Sequence, residues 1–461
     1  MIDLNEIQRV YFLGIGGIGM SALARYFRAT GKQVAGYDRT RTDLSLLLEK
    51  EGMEVHYEDS VDMIPSGYRS PDNSLVVHTP AVPSDHTELS YFRSHGFTIC
   101  KRSEVLGVIT RTKKTLAVAG THGKTTVSTM IAYLMTKAGK GCSAFLGGIS
   151  RNFGSNLVLD LKSEWVVAEA DEFDRSFLRL FPQAAVITAM DPDHLDIYGN
   201  AREMTEAFNK FTGQISRDGI LLMKYGLPLR NTVMPGHVYT YSLRNEGDFH
   251  AEKIRLHNRQ YHFDLRGPGV NIEDISLIHP GLVNVENAVA ACSLSVLLGI
   301  EPGRIRQAMK DFSGIHRRFE YHINTDEMVF IDDYAHHPRE IEATILSLRD
   351  LYPDKKLTGV FQPHLFTRTR DFAAGFAESL SLLDALILLD IYPARELPIE
   401  GIDAKIIFDK VKLSDKILCR KEELLKELEK RRPEVLITLG AGDIDKLVEP
   451  IKKYFTRKSD Q

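Results

Sequence analysis

The chain has 461 residues, 58 lysines and arginines against 62 acidic residues, and a hydrophobic share of 43%, which excludes a nucleic-acid or anionic-membrane binder driven by charge. No apolar run approaches the ~20 residues that span a bilayer, and nothing at the N-terminus reads as a signal peptide. The length suggests about three domains, and four scattered cysteines with no CxxC pair (Cys100, Cys142, Cys292, Cys419) read as reduced thiols of a cytoplasmic protein.

In residues 1–105 the apolar run Val10–Leu13 predicts a strand, Gly14-Ile15-Gly16-Gly17-Ile18-Gly19 a glycine turn, and the pattern from Met20 a helix closing at Gly31. A strand over Gln33–Tyr37 follows and ends in Asp38. The spacing matches a dinucleotide-type fingerprint, with a diphosphate at the helix N-terminus and Asp38 near a ribose, though it does not name the base. A tight turn without ligand has the same local pattern.

Residues 106–315 alternate apolar runs and helical patterns, as a parallel sheet covered by helices does. Thr115–Val118 reads as a strand entering Gly120-Thr121-His122-Gly123-Lys124-Thr125-Thr126, and Val127, Met130, Ile131, Leu134, Met135 and Ala138 continue at helical spacing to Gly139. Strand, glycine loop, Lys-Thr and helix make a phosphate-binding loop of shortened type. Loop amides and Lys124 face the phosphates, and the Thr125 hydroxyl can hold Mg²⁺. ATP is the expected ligand. The strand Trp165–Ala168 runs into Glu169-Ala170-Asp171-Glu172, where an acidic residue near a P-loop is expected to meet the metal. Ala185–Thr188 is another strand, emptying into Asp191-Pro192-Asp193-His194, which is either a polar turn or part of the same site. Residues ~219–280 alternate like antiparallel β structure and suggest an insertion on the main sheet.

In residues 316–461 three predicted strands end in polar segments. Met328–Ile331 leads to Asp332-Asp333-Tyr334-Ala335-His336-His337-Pro338, and Thr358–Phe361 to Gln362-Pro363-His364 and then Arg368 and Arg370. Leu436–Leu439 leads to Gly440-Ala441-Gly442-Asp443. The pattern describes a doubly wound α/β domain with a site along its strand ends. Lys421–Arg432 reads as a charged, solvated helix.

Together the glycine turn, the P-loop with its internal histidine, the Glu-Ala-Asp-Glu run and Tyr334-Ala335-His336-His337-Pro338 resemble the Mur ligase family over essentially the whole chain. The resemblance implies an α/β fold of three domains: a Rossmann-like UDP-sugar domain, a central P-loop ATPase with an extra β insertion, and a Rossmann-like ligase domain that closes over the amino acid. It implies ATP-dependent addition of an amino acid, here L-alanine, to the lactyl carboxylate of UDP-N-acetylmuramate through an acyl phosphate, in peptidoglycan precursor synthesis. Mg²⁺, or Mn²⁺ in its place, would serve as cofactor, in a monomer or homodimer.

The resemblance also distributes roles. Gly14, Gly16, Gly17, Gly19, Met20, Ser21, Asp38, Thr79, Ala81 and Arg102 would bind the UDP-sugar. Residues 120–126 with Asn287, Arg317 and Asp333 would bind ATP, while Thr125, Glu169 and His194 would hold metal. Tyr334, His336, His364, Arg368 and Arg370 would face the amino acid, with Lys124, Glu169, His194, His336 and Arg368 as the catalytic set. Val283 stands where relatives carry histidine, Leu365 where many carry arginine, Ala335 where glycine is usual, and Thr79-Pro80-Ala81-Val82 replaces a Ser-Ser-Ala-Ile run. A tripeptide-recycling ligase shares most of these motifs, but Asp174-Arg175-Ser176-Phe177-Leu178 favours the alanine reaction. A nicotinamide dehydrogenase would leave the P-loop unexplained. A non-catalytic nucleotide or UDP-sugar sensor rests only on Val283 and Leu365.

Overall fold

A strand whose side chains are buried on both faces must lie inside a sheet covered by helices. Strand β1 (Arg9–Leu13) meets that requirement from Val10 onward, in a computed structural model that describes residues 2–191, 195–229, 235–394 and 396–459. It is the centre of a five-stranded parallel sheet with β2 (Gln33–Tyr37), β3 (Glu54–His56), β4 (Ser74–His78) and β5 (Thr98–Lys101), ordered β3-β2-β1-β4-β5. The strand order reverses at β1 and β4, so their C-terminal ends splay a crevice, the usual ligand position in such sheets. The helix after β1 spans Ile18–Ala29 and so begins two residues before the expected Met20. Of the glycines that open this turn, only Gly14 takes a left-handed φ, +86°; Gly17 is extended at the helix start, and the chain enters the helix sooner than its glycine content suggests.

The central sheet has ten strands, ordered β15-β14-β13-β12-β11-β10-β6-β9-β7-β8. Its site-bearing part is β6 (Lys114–Ala119), β9 (Trp165–Ala170) and β10 (Ala184–Ile187), with β7 (Ser143–Ser150) and β8 (Ser155–Val158) as an antiparallel edge. Helix Lys124–Lys137 is buried nearly all round because β6, β7 and β9 pack beneath it and helix Pro302–Lys310 packs on another side. Beyond β10 lie β11 (Ile220–Lys224), β12 (His237–Ser242), β13 (Phe249–His257), β14 (Gln260–Gly267) and β15 (Val270–Leu277). The antiparallel expectation for ~219–280 is corrected in its first half. β11 and β12, the latter holding Tyr239-Thr240-Tyr241, are parallel to their neighbours, because alternation reports one exposed face and not strand direction. The insertion proper is β13–β15. Asn258 and Arg259, both at positive φ, supply the two-residue turn that the right-handed twist of a hairpin selects.

The third sheet is ordered β16-β17-β21-β18-β19-β20, from β16 (Glu320–Asn324), β17 (Val329–Asp333), β18 (Leu357–Phe361), β19 (Ala385–Leu388), β20 (Lys416–Leu418) and β21 (Val435–Leu439). It is parallel except for β16. The charged helix is shorter than 421–432: a 3₁₀ turn precedes Leu424–Arg431, and Leu424 and Leu428 are buried, so one face joins the core.

The chain forms two compact units. One comprises residues up to Ile254 with Phe263–Ser276 and Glu286–Phe312, and includes the first sheet and most of the central one. The other comprises Arg255–His262, Leu277–Val285 and the chain from Ser313 onward. Among the described residues no helix is long and apolar enough to cross a membrane.

Candidate active site

At the switch point of the first sheet, Gly14 lies so close to Thr79 that an added Cβ would approach its methyl to 2.7 Å. Asp38 does not project freely. Its carboxylate accepts from the Gly16 amide at 2.8 Å and from Thr40 at 3.0 Å, closing the glycine turn. Gly19 leaves room for Arg102, whose guanidinium would lie 2.9 Å from a Cβ there. Arg102 also faces Asp171 at 3.7 Å. Met20 is buried in the core, and the Ser21 hydroxyl donates to the Ile18 carbonyl at 3.0 Å and accepts from Asn156 at 2.9 Å. These two side chains join the helix to its surroundings, whereas Ala81 is exposed beyond β4.

The register of the central sheet sets Val118 opposite Glu169 and Ala119 opposite Ile187, so the P-loop emerges between the ends of β9 and β10. Gly120 has φ +132° and no space for a side chain, since Thr188 and Ala189 crowd it. Thr121 is buried and accepts from the Asp191 amide at 3.1 Å, and the ring of His122 lies 3.7 Å from the Asp191 carboxylate. Thr188, reaching the carbonyls of Ala119 and His122, completes a staple of the loop to the β10 exit. Gly123 caps the helix at φ +81°, and its missing side chain leaves room for Asn287. Thr126 is buried at the start of the helix.

The Thr125 hydroxyl lies 3.0 Å from Glu169, and Gly147 on β7 is the residue that makes space for that carboxylate. Lys124 turns to a different acid. Its ammonium donates to Gly120 O at 2.7 Å and to both oxygens of Glu172, at 2.9 and 2.7 Å. Burial opposes the lysine charge, but Glu172, Asp171 and Glu169 outweigh it and raise its pKa; burial likewise raises that of Glu172 against the pull of Lys124. Glu172 belongs to the acidic run the sequence singles out, yet nothing in the run says which carboxylate takes the lysine. Arg102, Ser103, Glu169, Asp171, Ser176 and Phe177 line one small cleft. His194 lies outside the described residues, and among those described no group of three or more histidine, cysteine and acidic side chains is arranged to hold a metal.

In the third sheet the segment after β17 is held by its own acid. Asp333 is buried and accepts from Phe319 N at 3.0 Å and Ala335 N at 2.7 Å; burial pushes its pKa up to about 6, against the pull of Arg318. Arg317 is also engaged, bonded to Asp332 at 3.2 Å and to Gly440 O at 2.6 Å. Both Arg317 and Arg318 lie over the Tyr334 ring, at 5.1 and 5.0 Å. His336 hydrogen-bonds the Tyr334 carbonyl at 3.0 Å and faces Glu340 at 3.4 Å. Burial lowers its pKa to about 4; Glu340 opposes the shift and Arg368 reinforces it. His364 stands edge-on to His336 at 6.2 Å and stacks on Tyr392. Arg368 is 8% exposed, whereas Arg370, two residues on around the same helix, points away and pairs with Asp371 at 2.7 Å. The structure therefore clusters Tyr334, His336, His364 and Arg368 and leaves Arg370 out. Leu365 begins that helix at φ +70°, and Val283 is exposed.

Three family profiles match the chain in succession: the Mur ligase family catalytic domain over residues 9–114, the Mur ligase middle domain over 118–295, and the Mur ligase glutamate ligase domain over 317–442. The chain is 54% identical to UDP-N-acetylmuramate–L-alanine ligase of Parabacteroides distasonis, with 99% of each chain covered. It is 53% identical to the enzyme of that name from Phocaeicola vulgatus, covering 99% of this chain and 100% of the other. Among solved structures it is similar to UDP-N-acetylmuramate-alanine ligase of Thermotoga maritima, with TM-score 0.83, 27% identity, and coverage of 98% and 99%. A murein peptide ligase from Psychrobacter arcticus shares the fold at TM-score 0.69 and 20% identity, covering 97% and 98%.

Proposed function

The chain belongs to the Mur ligase family, and we infer from that membership that it adds L-alanine to the lactyl carboxylate of UDP-N-acetylmuramate, with cleavage of ATP, in peptidoglycan precursor synthesis. The observation that carries this reading is the phosphate-loop geometry, with Lys124 and Thr125 opening the helix and Glu169 beside the Thr125 hydroxyl. Such a loop holds nucleotide phosphates at the helix N-terminus. The relatives named for this reaction at 54% and 53% identity favour alanine over the tripeptide.

An amide does not form from a carboxylate in water without activation. The lactyl oxygen attacks the γ-phosphorus, the bond to the β-phosphate oxygen breaks, and ADP leaves behind an acyl phosphate. The alanine nitrogen then attacks the acyl carbon, loses a proton and expels phosphate. Phosphoryl transfer asks the protein mainly for position and charge. Lys124 and the amides of Gly120–Thr126 supply both for the β- and γ-phosphates, with Asn287 beside the loop on the nucleotide side. Thr125 and Glu169, hard oxygen donors side by side, fit Mg²⁺ or Mn²⁺, with His194 proposed as a further ligand. The ion, when bound, neutralises phosphate charge.

Arg102, the amides after Gly14, and Thr79 would hold the UDP-sugar. On the amino-acid side, Arg368 supplies a buried cation for a carboxylate, and His336, with a pKa near 4, stays neutral and can accept a hydrogen bond from the amine. Because ATP and a UDP-sugar are cytoplasmic metabolites, the cytoplasm is the proposed compartment.

Phosphate release from ATP with Mg²⁺ and UDP-N-acetylmuramate should depend on L-alanine and yield a product heavier by one alanyl unit. Lys124→Ala should abolish it. Release with the tripeptide and none with alanine would reassign the substrate, and binding without release under either condition would favour a sensor.

A further inference from the structure

Lys124 has three N–H donors, and all three are occupied, by Gly120 O and the two oxygens of Glu172. Glu172 is 1% exposed and its partner lysine 13%, so the pair is shielded from water. The acid is held from behind. Its backbone carbonyl accepts from the Tyr198 hydroxyl at 2.7 Å and from Arg175 N at 3.0 Å, where Asp174 and Arg175, both left-handed, turn the chain. Glu169, by contrast, faces Thr125.

We propose that Glu172 is a positioning residue of the ligase reaction: its carboxylate engages the donors of Lys124 that a phosphate of ATP would take over, and so sets ATP affinity by competing for the lysine. The proposal rests on the ATP-dependent reading above. A lysine with three donors engaged cannot hold a phosphate without releasing one of these acceptors. The backbone carbonyl belongs to the loop itself, so the side chain is the group that yields. A buried ion pair adds little net stability over apolar packing.

The test is binding of β,γ-methylene-ATP with Mg²⁺ to the full chain, followed by calorimetry and by the ligand-induced shift in Tm. If the pair is intact about nine-tenths of the time, Glu172→Gln should lower Kd about tenfold. Its ligand-free Tm should fall while the nucleotide-induced rise grows, a split that a merely structural role does not produce. Asp171→Asn removes the same charge next door without touching the bonds to Lys124, and should tighten nucleotide less than Glu172→Gln does. Equal tightening in both variants would mean general charge removal and overturn the proposal, as would unchanged or weaker binding by Glu172→Gln. Should that variant not fold, Tyr198→Phe carries the test, since loosening Glu172 from behind should tighten nucleotide severalfold; no tightening overturns the proposal. A native chain that binds no nucleotide overturns both this and the ligase reading, whereas normal native binding with an unresponsive Glu172→Gln overturns only this one.

Discussion

His336 shows how burial can prepare a side chain and load the fold at once. Unfolded, it takes a proton near pH 6.5; folded, burial holds that event down to about 4. The sign follows directly. Above pH 6.5 neither state binds the proton and the group's contribution is complete. As pH falls through the interval the unfolded chain gains a proton that the folded chain refuses, and stability is lost, by about 3 kcal/mol at most. Urea unfolding between pH 7 and 4 should therefore show a shallower acid loss in His336→Gln than in the native chain, and parallel curves would refute the shift. Asp333 works in the opposite direction: its raised pKa makes its contribution greatest at low pH and removes it as pH rises through about 6. Neither shift is legible in the sequence, because both come from what covers Tyr334–His337.

Single elements decide which motif residues can act together. Strand β7 contributes no charged group to the site, yet a Cβ on Gly147 would come within 2.1 Å of the Glu169 carboxylate. Gly147→Ala should displace Glu169 from Thr125, cost about 1–3 kcal/mol through overpacking, and raise the Mg²⁺ concentration needed for half-maximal phosphate release. An unchanged Mg²⁺ requirement would mean that Glu169 does not hold the ion. Helix Phe366–Leu380 illustrates the same point by its period: residues two apart point to different sides, so Arg368 is buried beside His336 and Arg370 meets solvent. The sequence grouped the two by proximity, and the 3.6-residue repeat separates them.

At the scale of the molecule, the first sheet's helix Ile18–Ala29 is tied to the central sheet by one buried amide. Asn156 on β8 donates to Ile18 O at 2.5 Å and to Ser21 Oγ at 2.9 Å, and accepts from Arg25. Asn156→Ala strands those acceptors and should cost about 1–3 kcal/mol. Because the helix starts at the glycine turn, the KM for UDP-N-acetylmuramate should rise while nucleotide affinity holds. Thermal unfolding and initial rates at varied UDP-sugar would check both, and a stability loss without a KM change would confine Asn156 to packing.

The phosphate-loop unit, contiguous in the chain, was determined by sequence alone. Strand β6, the glycine loop, Lys124 and the following helix are read in order because backbone conformation, helix periodicity and phosphate chemistry act over a few residues. The acidic run after β9 and the Tyr-Ala-His-His-Pro segment are equally local. What only the tertiary structure decided are the partnerships between distant segments: Lys124 with Glu172, Asn156 with Ser21, His336 with Arg368, and Gly147 as the space beside Glu169. Each depends on strand register and on which side chains exclude water from a given carboxylate or imidazole. Those are properties of chain segments brought together from dozens of residues apart, and no short stretch of sequence contains them.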